Sequence, residues 1–141
     1  MKKYLLYIFL LFFISAYNYA KGINEKKVCQ FTANWLAENE GFFHYGYFKN
    51  TNETFELKTI KPIYANDGKV ELFVAELSPK GFILLAPDDR LKPIIGYSSE
   101  RDFNFDKYQN DVFLNIIVTD LQDNLERINR EGISKSNIEW N

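Results

Sequence analysis

Cysteine and histidine each occur once in this chain of 141 residues, as Cys29 and His44. A single cysteine excludes an internal disulfide, so stability in an oxidising compartment has to come from packing. Nucleophilic catalysis by Cys29 needs a base beside the thiol, and His44 is the sole imidazole. The two are fifteen residues apart and carry no local nucleophile signature. Cys29 therefore reads as a buried core thiol. One histidine and one cysteine do not make a metal site either. The chain also lacks a glycine-rich phosphate loop before a helix, internal repeats and low-complexity tracts. It has 17 basic and 19 acidic residues, with no Lys/Arg cluster interleaved with aromatics. Nucleic acid is thus not an expected partner, and no cofactor is implied.

What is abundant is apolar and aromatic: 46% hydrophobic, with 13 Phe and 9 Tyr. Part of this lies at the start. Lys2 and Lys3 precede an unbroken apolar run, Leu5–Ile14, and Ser15, Ala16 and Ala20 supply small residues for cleavage. Residues 1–20 read as an export signal, whose apolar run is short for the ~20-residue helix that spans a bilayer. Cleavage is expected after Ala20, with Ala16 as the rival. The remaining residues 21–141 carry a net charge of −4, since Lys2 and Lys3 leave with the signal. They are enough for one domain, and no stable membrane association is expected of it.

Two apolar, β-branched runs, Val70–Leu77 and Phe82–Ala86, are separated by Ser-Pro-Lys-Gly, a β-turn signal at Ser78–Gly81. Phe82, Ile83, Leu84, Leu85 and Ala86 do not alternate, which predicts a mid-sheet strand covered on both faces, with Phe82 in the core. Pro93–Tyr97 reads as a further strand with Pro93 at its start. Phe55–Tyr64 is another, with an interruption at Pro62, and Asn66-Asp67-Gly68 is the turn that follows it. Gly22–Gly41 reads as a helix capped by Asn24. Val28, Phe31, Trp35 and Leu36 form its apolar face, widened by Cys29 and Ala33. Leu114, Ile117, Val118, Leu121, Leu125 and Ile128 mark a second helix, capped by Asn110 or Asp111 and ended by Gly132. Thr119, Asp120, Asp123, Glu126 and Arg127 are its solvated face. Ile133–Asn141 is expected to be a mobile tail. The aromatic stretch 42–48 around His44 reads as alternate rings filling a core, and Asn52-Glu53-Thr54 fits the glycosylation pattern. The fold class expected is α+β: an antiparallel sheet of about four strands flanked by an N-terminal and a C-terminal helix.

The stretch Gly81–Phe103, GFILLAPDDRLKPIIGYSSERDF, resembles the propeptides of streptopain-type cysteine peptidases and their free-standing Spi-type inhibitors. The matching residues are Gly81, Phe82, Asp88, Asp89, Arg90, Pro93, Gly96, Tyr97, Ser98 and Phe103. Ala86-Pro87 departs from the family's Ser followed by Gly or Ala. Asp88 and Asp89, read on their own, are turn residues with Asx hydrogen bonds and a pairing to Arg90, pointing apart.

The resemblance implies a peptidase-binding domain. Since the chain ends nine residues after Gly132, a free-standing, exported inhibitor of a secreted streptopain-type peptidase is expected. It would be monomeric when free and would block the enzyme's cleft without covalent chemistry. The resemblance further implies that Tyr97–Asp111 faces that cleft, with Asn110, Tyr97, Arg101 and Phe103 as contacts and Asn110 foremost. Asn110 has a rival role as the helix cap. An orphan propeptide or folding helper, and a secreted interaction domain with a non-peptidase partner, are the alternatives.

Overall fold

The computed structural model describes residues 22–39 and 54–140. The signal segment, Gly41, the aromatic stretch with His44 and the Asn52 glycosylation pattern lie outside them. The first helix, α1, is Glu25–Glu38. Four strands follow: β1 (Glu56–Tyr64), β2 (Val70–Ser78), β3 (Phe82–Leu85) and β4 (Ile94–Ser98). A 3-10 turn, Tyr108–Asn110, leads into α2, Val112–Arg130, and a second 3-10 turn is Ile138–Trp140. The strands pair antiparallel in the order β1-β2-β3-β4. The fold is α+β, as the pattern of the sequence predicts.

Side-chain alternation along the two central strands divides the core in two. Phe73, Ala75 and Leu77 of β2 and Ile83 and Leu85 of β3 face one cluster. There they meet Val28 and Leu36 of α1, Leu121 and Ile128 of α2, and Trp140. Leu72, Val74 and Leu84 face the other with Ile63 and Phe103, against Phe105, Tyr108, Leu114 and Val118. This explains the unbroken apolar run of β3, since both of its faces are covered. Phe82 is only half-buried, because at the first position of β3 it lies against the rim of the second cluster, edge-on to Phe103.

β1 runs through Pro62, which partners Phe73 in register, so the expected interruption is absent. An edge strand leaves one side unpaired and tolerates a residue without an N–H. Between β2 and β3, Gly81 holds φ +107°, and a Cβ there would stand 2.5 Å from the Ser98 carbonyl oxygen. Pro93 is buried just ahead of β4, where its carbonyl accepts from Ala86 N–H at 2.9 Å. The Ala86-Pro87 turn fits this backbone, and Pro87 O accepts from Ile23 N–H.

The Asn24 side chain caps α1, accepting from Lys27 N–H at 2.8 Å. Val28, Thr32 and Leu36 are the buried stripe, flanked by Phe31 and Trp35. The Thr32 hydroxyl is satisfied by donating to Val28 O. Cys29 and Ala33 are exposed, contrary to expectation. Each is one step, about 100°, round the helix from a stripe residue and on the side away from Phe31 and Trp35.

The tail is docked as far as Trp140. The Trp140 indole donates to Leu91 O at 2.9 Å, and its ring lies 4.9 Å from that of Phe31. A single 3-10 turn carries too little periodicity to show in the sequence.

Candidate functional site

Asp88, Asp89 and Arg90, the charged part of the motif, form a clasp at the β3–β4 turn. The buried Asp88 carboxylate takes three bonds from Arg90: N–H at 2.9 Å, Nε at 2.8 Å and Nη2 at 2.7 Å. Arg90 also donates through Nη1 to Asn129 Oδ1 and Ile133 O, tying the turn to the end of α2. The Asp88 hydrogen bond raises the guanidinium's pKa, outweighing burial. Asp89 points elsewhere, accepting from Lys27 Nζ at 2.9 Å and Ser136 Oγ at 2.7 Å, while its carbonyl accepts from Asn137 N–H. Burial pushes its carboxyl up, but the Ser136 and Lys27 bonds together bring it below its ordinary 3.8. The two carboxylates thus point to different partners and hold α1, α2 and the tail together.

Gly96, Tyr97 and Ser98 belong to β4, and the chain leaves that edge strand in a pinned loop. Ser98 Oγ accepts from Glu100 and Arg101 N–H, each at 3.3 Å. Asp102 Oδ1 accepts from Gly81 N–H at 3.0 Å, fastening the loop to the β2–β3 turn. Phe103 is buried, with ring centroids 5.3 Å from Phe82 and 4.8 Å from Phe105. The Lys61 ammonium, paired with Glu76 at 2.8 Å, stands 4.5 Å over the Phe105 ring. Asn104 Oδ1 then accepts from Asp106 and Lys107 N–H, setting up the 3-10 turn that carries Asn110.

Asp111 is the cap of α2, accepting from Phe113 N–H at 2.9 Å and Leu114 N–H at 3.1 Å. Asn110 is not the cap. Its backbone N–H donates to Lys107 O, and among the described residues its carboxamide makes no hydrogen bond. It is exposed on a backbone held from both sides, by the 3-10 turn and by the capped helix. Tyr97 is 47% exposed and Arg101 is exposed, whereas Phe103 is a core residue that positions the loop. A depression of about 430 Å³ between α1 and the tail, floored by Phe31, Trp35 and Trp140, lies with the first cluster and includes none of these.

Three residues of this region escape a reading by core periodicity. Val112, Phe113 and Ile116 are 74%, 69% and 62% exposed on the first two turns of α2. The signal is there to be read: six of the seven residues in Val112–Val118 are apolar, which is more than one buried face needs.

Among the described residues no three His, Cys, Asp or Glu side chains gather as a metal site, and no helix is long and apolar enough to cross a membrane. Comparison with curated proteins and with solved structures gives no match. The family model described as Spi protease inhibitor matches residues 16–123. That match takes in well over half of the chain, including the whole sheet, the pinned loop and the start of α2. This protein belongs to the Spi protease inhibitor family.

Proposed function

We propose that residues 21–141, exported by a signal that is removed after Ala20, act as a stand-alone inhibitor of a secreted streptopain-type cysteine peptidase. The domain is a monomer when free and blocks the active-site cleft without covalent chemistry. Asn110 enters the cleft, with Tyr97 and Arg101 as further contacts and the buried Phe103 holding the loop. One observation carries this reading: the exposed Asn110 carboxamide, bonded to no described residue, on a backbone fixed by a 3-10 turn and a capped helix. An amide can donate and accept in a narrow pocket. A backbone already ordered loses little entropy on binding, and it resists being drawn into the extended form a peptidase cleaves.

The test is a titration of the purified domain against a panel of mature streptopain-type peptidases, streptopain among them. Stoichiometric loss of activity is expected. Improved refolding of such a peptidase without inhibition would make the domain a folding helper. Silence in both assays would refute a peptidase partner of this type.

A further inference from the structure

α2 is built differently at its two ends. From Leu121 onward its apolar residues Leu121, Leu125 and Ile128 keep to one face, and the opposite face is charged. In the first two turns Leu114, Ile117 and Val118 pack into the sheet while Val112, Phe113 and Ile116 point to solvent. A helix apolar all round is normally covered on both sides. Scaled by their exposures, the three outward side chains offer on the order of 400 Å² of accessible surface, the size of the largest apolar patch on a typical monomer, which is often functional. Asp111, Asn115, Thr119 and Asp120, all exposed, border it with polar groups. An apolar centre with a polar rim is how protein interfaces are built.

We infer that Val112, Phe113 and Ile116 form an anchoring surface for the same peptidase, seated beside its cleft and separate from the group that blocks it. This rests on the inhibitor reading above. Two observations select the occupant. Val112 is two residues from Asn110, so an enzyme that takes Asn110 into its cleft comes close to these turns. A stable interface needs about 800 Å² from each partner, twice what the patch supplies, so a second copy docked here alone is too small. A peptidase that covers Tyr97, Arg101 and Asn110 as well makes up the difference. Phe113, the one ring of the three, is the anchor expected to dominate.

The experiment compares the domain with its Phe113→Glu/Ile116→Gln variant, both changes being acceptable at exposed sites near a helix N-terminus. Melting temperature, binding to the peptidase panel by calorimetry, inhibition, and mass by sedimentation are measured on both. The inference expects an unchanged melt and binding weakened roughly 30-fold or more, the loss that defines a hot spot. Loss of binding by the variant, where the parent binds without inhibiting, supports the anchor and refutes cleft blocking. Equal binding by variant and parent refutes the anchor and leaves the inhibitor reading standing. A melt lowered by more than about 5 °C would show that the chain itself covers the patch, and a dimer lost in the variant would make a second copy the occupant. Either overturns the inference, as does a parent that binds no member of the panel.

Discussion

Replacing Trp140 by alanine tests whether the tail is part of the domain. The indole is 4% exposed, lies tilted at 55° against the Phe31 ring, stands 5.9 Å from the Lys27 ammonium, and donates to Leu91 O. Removing a buried tryptophan from a rigid core costs about 3–5 kcal/mol. Here the tail can detach instead of leaving a cavity, and the backbone entropy of the freed residues offsets part of that cost. Detachment also gives up the Ser136 and Asn137 bonds to Asp89, each worth about 1 kcal/mol. The net loss expected is about 2–3 kcal/mol. For a domain of this size that lowers the melt by roughly 8–15 °C. Trp140→Phe keeps one aromatic ring but loses the five-membered ring and its N–H donor, so about half of the effect is expected. Thermal and urea denaturation followed by circular dichroism measure both variants. If Trp140→Ala melts within about 2 °C of the parent, the docked tail contributes nothing and the argument is wrong.

Asn110→Asp separates blocking from folding. Asp111 already caps α2, so stability should change by less than about 0.5 kcal/mol while inhibition weakens at least tenfold, through a charge brought into the pocket; full inhibition would move the blocking contact to Tyr97 or Arg101. Gly81→Ala places a Cβ against the Ser98 carbonyl at a φ of +107° and should cost about 2–4 kcal/mol in a urea melt; a neutral outcome would mean that the turn rearranges freely. The lowered pKa of Asp89 makes its contribution present above the ordinary carboxylate value of 3.8 and lost as pH falls through the folded value. Asp89→Asn should therefore melt below the parent at pH 7 and converge with it towards about pH 2; a gap independent of pH would show that its charge is not what matters.

Much of the fold is legible locally because each strand and helix announces itself by period. Phe82–Leu85 reads as a doubly covered strand, and β3 does lie between the two clusters. Asn24 reads as a cap and accepts from Lys27 as a cap should. The Asp88–Arg90 pairing follows from turn chemistry two residues apart. Where period alone was the guide, it failed at the margins. Cys29 and Ala33 are apolar enough for a core stripe, and only the seating of α1 on the sheet turns them outward.

Residue pattern alone specifies the α+β class, an antiparallel sheet of about four strands, and the motif between Gly81 and Phe103. These rest on contacts a few residues apart, which local residue types specify. The folded chain shows in addition that Asp111 and not Asn110 caps α2, that Phe103 belongs to the core, and that Trp140 closes the first cluster. It also leaves Val112, Phe113 and Ile116 bare while Leu114, Ile117 and Val118 are partly covered. The Asp111 cap is local, but the burial of Trp140 and Phe103 depends on partners far away in the chain, Leu91 for Trp140 and Phe82 for Phe103. Residue type states that a side chain is apolar, but which apolar residues find cover is settled by how much sheet there is to cover them.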